Sequence, residues 1–207
     1  MNEFEKGLLK YFSEDDLRTI QDIRVGIAGA GGLGSNIAVC LVRSGFKNLE
    51  ILDFDVVEAS NLNRQYYFMD DLGKPKVAVL KDRLLTINPS AQIKVFNTKM
   101  DRDNCVDFFK EADIVFEAFD RVEAKKMVLE TFGGSKRIII CGVGMAGHKN
   151  ENELKIRKLS GRHFIVGDGE TSIKCMPPLA PRVMACASLM ASIALECVLE
   201  NKTGGRK

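Results

Sequence analysis

The sequence predicts an α/β fold: a doubly wound, mostly parallel sheet with short extra β-strands and a long apolar helix near its C-terminal end. Three observations predict it. Apolar runs of strand length alternate with amphipathic helical stretches from residue 23 to residue 142, the pattern of repeated strand–helix–strand units. A glycine-rich turn, Gly29-Ala30-Gly31-Gly32-Leu33-Gly34, separates the first such strand from the first such helix. The last third breaks the alternation with two closely spaced short strands and one long apolar stretch.

Residues 5–21 read as one or two short helices, with Ser13 and the acidic run Glu14-Asp15-Asp16 as a start signal. A serine accepts from the free N–H groups of a first helical turn, and acids complement its positive end. Residues 23–28 read as a strand and 33–44 as a helix that stops near Gly45. A second strand covers about 49–53. Residues 54–74 show no clean period, and a structureless connection of that length is usually functional in a compact domain. The next helix opens at Pro75, carries Val77, Leu80, Leu84 and Ile87 on one stripe, and stops at Asn88-Pro89. A strand at 92–97, a helix at 102–110, a strand at 113–117, a helix at 122–132 and a strand at 137–142 follow. Residues 154–158 and 163–166 read as a hairpin-type pair. Residues 181–200 read as a helix with Val183, Ala187, Met190, Ala194 and Cys197 on one stripe, which either covers the sheet or lines an interface. The tail from Thr203 to Lys207 reads as frayed.

Composition narrows the functional classes. The chain has 30 basic and 28 acidic residues in 207, a net charge of +2, which gives nucleic-acid binding no support. No uninterrupted apolar run reaches the roughly 18 residues of a membrane span. Met1 to Lys10 lacks a basic segment followed by an apolar one, so a cytoplasmic setting without membrane partners is expected. The cysteines, Cys40, Cys105, Cys141, Cys175, Cys186 and Cys197, include no Cys-x-x-Cys pair. No zinc site is therefore predicted. Cys40, Cys186 and Cys197 read as small core residues in a reducing compartment. His148 and His163 have no partner at ligand spacing and read as surface or structural residues.

The glycine turn points to a nucleotide. Gly29, Gly31, Gly32 and Gly34 allow a tight turn and close approach of phosphates, and the helix that follows offers unpaired N–H groups at its positive end. The fold expected is therefore Rossmann-like. Asp53 ends the second strand, 19 residues past Gly34, where an acid accepts hydrogen bonds from ribose. These features do not separate NAD from ATP. Three others favour ATP. Asn61, Asn63, Arg64 and Gln65 cluster after the second strand, and Arg64 is a forked donor suited to phosphate. Lys76 sits in a first helical turn, an unfavourable place for a cation that an anionic ligand would offset. Asp120 follows the fourth strand and suits magnesium, although Asp120-x-x-Glu123 reads equally as a helix N-cap with its reciprocal glutamate. A nicotinamide enzyme needs neither the cations nor the metal, whereas splitting a triphosphate does.

The ordered strings GAGGLGS, LDFDVVEASNLNRQ, GKPK and the FD of EAFDRVEAK resemble the ubiquitin-activating enzyme superfamily. Within it the chain is most similar to the ThiF and MoeB sulfur-carrier adenylyltransferases, and its length resembles the short ThiF branch. The resemblance covers residues 20–145 well and the last helix loosely. It implies one adenylyltransferase domain: a helical leader over 1–21, a nucleotide-binding core over 22–145, and extra strands with the C-terminal helix over 146–201. It implies ATP and Mg2+, and a small ubiquitin-like sulfur carrier ending in Gly-Gly whose C-terminal carboxylate is adenylated with release of pyrophosphate. The ThiS-like carrier of thiamine thiazole synthesis is the pathway the short-branch likeness favours. Carried over by motif position, the turn glycines and Asp53 would hold the nucleotide, supported by Asn61 and Gln65. Arg64 and Lys76 would stabilise charge on the phosphates, and Asp120 would hold magnesium. The family also implies a homodimer and a sulfur-donor protein.

The chain departs from the family pattern in lacking paired zinc cysteines. It also lacks an Arg-Tyr-x-Arg-Gln string near the N-terminus; the leader has only Arg18. Cys175, beside Lys174 and before Pro177-Pro178, is a sulfur-transfer candidate weighed against a bland loop cysteine. The competing readings are an NAD-dependent oxidoreductase, a non-catalytic module that docks a ubiquitin-like partner, and a relative that adenylates a small molecule or tRNA base.

Overall fold

A computed structural model describes residues 1–148, 154–172 and 175–203, with only the backbone of 201–203. Helices α1 (Glu3–Leu8) and α2 (Glu14–Asp22) lead into β1 (Arg24–Ala28), α3 (Gly32–Arg43), β2 (Asn48–Leu52), α4 (Lys76–Ile87) and β3 (Gln92–Phe96). Then come β4 (Ile114–Glu117), α5 (Val122–Phe132), β5 (Ile138–Gly142), β6 (Lys155–Lys158), β7 (His163–Gly167) and α6 (Ala180–Thr203). Ser13 acts as the expected start signal, its Oγ accepting the Asp16 N–H, whereas Pro75 is the N-cap of α4 and the helix opens one residue later, at Lys76. The expected tail of the chain beyond residue 203, and Lys174, lie outside the described residues.

The sheet has seven strands in the order β3-β2-β1-β4-β5-β7-β6. All neighbours are parallel except β6 and β7, which form the expected antiparallel pair. Only β7 joins the parallel core, beside β5. The chain winds from β1 to β2 and β3 on one side, then crosses to β4 on the other. Strand order therefore reverses between β1 and β4, the switch point beyond whose C-terminal strand ends open α/β sheets form their ligand crevice.

The period-2 side chains of the strands feed two cores. Val25, Ile27, Leu49 and Ile51 meet Ile37 and Leu41 of α3, Leu80 and Leu84 of α4, and Met190 and Ala194 of α6. Ala28, Leu52, Val115 and Ile139 meet Phe108, Phe109, Val128 and Phe132 on the other face. Val183, Ala187, Met190 and Ala194 are buried and Cys197 is half-buried, with α6 packed along α3. This stripe covers the sheet within the chain. By length and composition α6 would also span a membrane, but its apolar stripe is core.

The expected helix at 102–110 does not form. Only one 3-10 turn, Cys105–Asp107, occupies the segment. Asp101 Oδ1 accepts the N–H groups of Asp103 and Asn104, and Asn104 Oδ1 accepts that of Asp101. Such short polar side chains compete with a helical ladder for its donors. Phe109 then takes φ 56, a left-handed conformation, and packs its ring on Gly26. The neighbouring row on this face, Glu50 with Lys94, is an ion pair that needs no cover.

At the end of β7 the Asp168 carboxylate accepts the N–H groups of Glu170 and Thr171, the Thr171 hydroxyl, and Arg182 Nη2 at 2.6 Å. The side chains of Asp168 and Arg182 are 7% and 1% exposed, so this pair ties the last parallel strand to the start of α6. Burial alone raises the Asp168 pKa, but the backbone and Thr171 donors and the Arg182 charge outweigh it, and the net shift is downward. A depressed carboxyl adds stability above its unfolded pKa, and that stability is lost as pH falls through the folded one. Asp168→Asn is expected to lower stability at neutral pH by about 3–5 kcal/mol, since it takes the charge from one partner of a buried ion pair. It is also expected to flatten the acid limb below about pH 4. Urea melts across pH check both; an unchanged acid limb in the variant would contradict the assignment.

Candidate functional site

The turn between β1 and α3 is built on glycine for steric reasons at two positions. Gly29 has φ 104, and a Cβ there would lie 2.9 Å from the Ala118 carbonyl oxygen. A Cβ on Gly34 would lie 1.8 Å from the Gly29 carbonyl oxygen. Gly31 is the N-cap of α3, with no side-chain cap and no acid in the first turn. The helix thus presents its free N–H groups and positive end uncovered, an arrangement suited to an anion.

Asp53, 8% exposed, accepts the Ala30 N–H on Oδ2 at 2.6 Å and the Asp55 N–H on Oδ1 at 2.8 Å. The sequence reading assigned this acid to a ribose. The structure gives it a second task, holding the turn, and each oxygen keeps a lone pair for another donor. Tyr67 adds a second hold on the turn, with its hydroxyl donating to the Ala30 carbonyl at 2.8 Å.

The segment after β2 contains two 3-10 turns, Ala59–Asn61 and Met69–Asp71. Buried polar residues of α3 dock it. Asn36 Nδ2 donates to the Gly32 and Arg64 carbonyls, and Ser35 Oγ accepts the Tyr66 N–H. Arg64 is thereby laid over the turn, its Cγ 3.5 Å from where a Gly32 Cβ would be. Its Nη1 donates to the Ser60 carbonyl and Asn63 Oδ1. Asn61 is buried and holds the loop, accepting the Glu58 N–H. Gln65 is buried beside Gly31, and its Oε1 has no partner among the described residues. A buried acceptor without a donor, next to an uncapped helix start, fits a polar ligand rather than packing. Lys76, 5% exposed, pairs with Asp55 Oδ2 at 2.9 Å. A buried ammonium at a helix start requires this counter-charge.

Asp120 lies across the crevice. It is exposed, and the N-cap of α5 is Arg121 with no side-chain cap. The capping reading of Asp120 with Glu123 is therefore set aside. Burial lowers the Arg64 pKa and the nearby Asp120 carboxylate opposes that shift, which places the two charges within electrostatic reach. Asp120 also acts on Glu117, which is fully buried at the end of β4. Burial raises the Glu117 pKa, against the charge and hydrogen bond of Lys125 and the Phe119 N–H. Lys125 Nζ sits 2.8 Å from Glu117 and 3.0 Å from the Gly142 carbonyl. Among the described residues no three His, Cys, Asp or Glu side chains converge on one point. A magnesium ion here would take Asp120 and oxygens of its ligand, a donor set that suits this metal.

Cys175 is exposed and its N–H donates to the Ser172 carbonyl. Its segment reaches the site through Pro178, whose carbonyl accepts from Asn63 Nδ2 at 3.0 Å. A cavity of about 720 Å³ opens at the opposite edge of the sheet and contains none of these residues. Its Arg137 and Arg162 are spent on the carbonyls of Ala112, Lys110 and Lys136. The sequence reading missed Ser35, Asn36, Tyr67, Glu117 and Lys125. The readable signal was Ser35-Asn36 in the first turns of an otherwise apolar helix.

The model of the ThiF family matches residues 5–205. The NEDD8-activating enzyme E1 catalytic subunit of Arabidopsis thaliana is 36% identical over 115 residues, 55% of this chain and 25% of that protein. The molybdopterin-synthase adenylyltransferase of Escherichia coli (strain K12) is 31% identical over 173 residues, 83% of this chain and 66% of that protein. The chain spans less than a third of the length of several curated relatives it matches. In structure it is similar to the E. coli tRNA N6-threonylcarbamoyladenosine dehydratase TcdA in complex with ATP. The TM-score is 0.87 at 21% identity, covering 99% of this chain and 97% of that one.

Gly34→Ala forces its new methyl into the Gly29 carbonyl and is expected to lower stability by about 1–3 kcal/mol. Gly161→Ala, where a Cβ meets nothing within 4 Å, is the control and is expected to stay within about 0.5 kcal/mol of the parent. Urea unfolding of both variants measures the difference.

Proposed function

The chain belongs to the ThiF family, and from that premise we propose that it adenylates the C-terminal glycine of a small ubiquitin-like sulfur carrier with ATP. The observation that carries this reading is the meeting of three groups at the β1–β4 crevice: an uncapped glycine-rich helix start, Arg64 laid over it, and Asp120 within reach of Arg64. A dehydrogenase has no use for the last two.

In the proposed reaction the N–H groups of the turn at Gly31, Gly32 and Gly34 hold phosphate oxygens, Gln65 Oε1 takes a ligand donor, and Asp53 accepts a ribose hydroxyl. A carboxylate oxygen of the carrier attacks the α-phosphorus. The bond to the bridging oxygen of the β-phosphate breaks, and pyrophosphate leaves with the electron pair. Arg64 and Lys76 stabilise the negative charge that builds on the α-phosphate and the leaving pyrophosphate. Lys76 enters this role already held by Asp55. Asp120 would hold Mg2+, which supplies charge neutralisation on the phosphates. Asn61 acts through the loop it holds. The family match and the relatives named as adenylyltransferases support this reading. The same proposal includes the ThiS-like carrier of thiamine thiazole synthesis, a sulfur donor with Cys175 as the transfer candidate, a homodimer, and a cytoplasmic setting.

ATP–pyrophosphate exchange, with and without a carrier ending in Gly-Gly, tests it. Carrier-dependent exchange is expected; tight NADH binding without magnesium and no exchange would instead favour the oxidoreductase. Asp120→Ala is expected to reduce exchange by about 100-fold or more with an unchanged melting temperature, because Asp120 caps nothing. Near-normal exchange in that variant would remove Asp120 from the site.

A further inference from the structure

Two consecutive peptide planes of the glycine turn are each gripped by a side chain. Asp53 holds the first through the Ala30 N–H at 2.6 Å, and Tyr67 holds the second through the Ala30 carbonyl at 2.8 Å. The second plane also contains the Gly31 N–H. No described peptide bond is cis, and in a trans peptide the C=O and N–H point in opposite directions. A hydroxyl that draws the Ala30 carbonyl toward Tyr67 therefore turns the Gly31 N–H away from Tyr67, to the open start of α3. That N–H has no acceptor among the described residues, and the residue bearing it has no side chain to screen it.

We propose that Tyr67 is a positioning residue for ATP: its hydroxyl fixes the Ala30–Gly31 peptide so that the Gly31 N–H is presented to a phosphate of the nucleotide. This rests on the ATP reading above and adds to it a residue that touches no ligand. Three features support it. Tyr67 is 4% exposed, and its bond to the Ala30 carbonyl is buried. Burial, with the charges of Asp53, Asp71 and Asp55, raises the phenol pKa strongly, so the group stays a donor wherever the protein is folded. The Tyr67 N–H donates to the Gln65 carbonyl at 2.8 Å, which ties this clamp to the Gln65 side chain lying next to Gly31.

The test compares ligands with and without phosphate. Tyr67→Phe keeps the ring and removes only the hydroxyl. By calorimetry, its affinity for ATP and ADP is expected to fall about tenfold, the worth of one well-placed hydrogen bond, while adenosine binding stays unchanged. A purely structural tyrosine would lower the melting temperature and leave ATP affinity unchanged, or weaken ATP and adenosine equally. Either result overturns the proposal. Should the variant not fold, glycine-selective amide NMR of the unmodified protein decides: the Gly31 resonance is expected to move with ATP and ADP but not with adenosine. A Gly31 signal indifferent to bound ATP overturns the proposal. An unmodified protein that binds no ATP overturns the ATP reading itself, whereas ATP binding unaffected by Tyr67→Phe overturns only the role of Tyr67.

Discussion

Two backbone N–H groups, of Ala30 and Asp55, converge on the Asp53 carboxylate at 2.6 and 2.8 Å, and the candidate site hangs from this junction. Through Ala30 the carboxylate sets the glycine turn and hence the direction of the α3 start. Through Asp55 it sets the residue whose side chain holds Lys76. One acid at the end of β2 therefore aligns the anion-binding turn of β1 with a cation brought in by α4. The junction exists because β2 pairs with β1 in register from Arg24 to Ala28, which carries the end of one strand beside the end of the other.

The charges around the crevice are mostly paired before any ligand arrives. Lys76 sits with Asp55, Glu117 with Lys125, and Arg182 with Asp168, and all three pairs lie at the C-terminal edge of the parallel strands. Such pairs contribute little net stability, because desolvation of a buried partner or solvent screening of an exposed one, such as Asp55, offsets most of their attraction. Their gathering at one edge makes better sense as alignment. Each ties a strand end or its adjoining loop to the helix that follows. Arg64 and Asp120 differ: neither is in an ion pair at contact distance among the described residues, and each lies within electrostatic reach of the other.

Much of this was legible in the sequence because strand and helix periods are local. The glycine turn, Asp53, Arg64, Lys76 and Asp120 could be named from spacing and motif, and the strand–helix alternation placed them on one edge. The failures have physical causes. The 102–110 segment carries a helical apolar pattern, yet Asp101 and Asn104 capture their own backbone donors and Phe109 is fixed by Gly26, a partner more than eighty residues away in sequence. Asp120 and Glu123 have the spacing of a cap, but the chain is extended at Arg121 and the helix begins one residue later. Tyr67 stands in the aperiodic 54–74 segment, where no spacing singles it out. Its task appears only when the loop folds back on the turn, a consequence of tertiary docking through Ser35 and Asn36.

The central claim is that the crevice splits ATP at its α-phosphate to activate a carboxylate. Isotopic label tests it most directly, by following ATP labelled at the α- or γ-phosphate in the presence of magnesium and a carrier ending in Gly-Gly. The account requires the α-label to appear on the carrier, sensitive to removal of the terminal glycine, and the γ-label to leave as pyrophosphate. Transfer of the γ-label, or no label on any such carrier while ATP is bound, would contradict it.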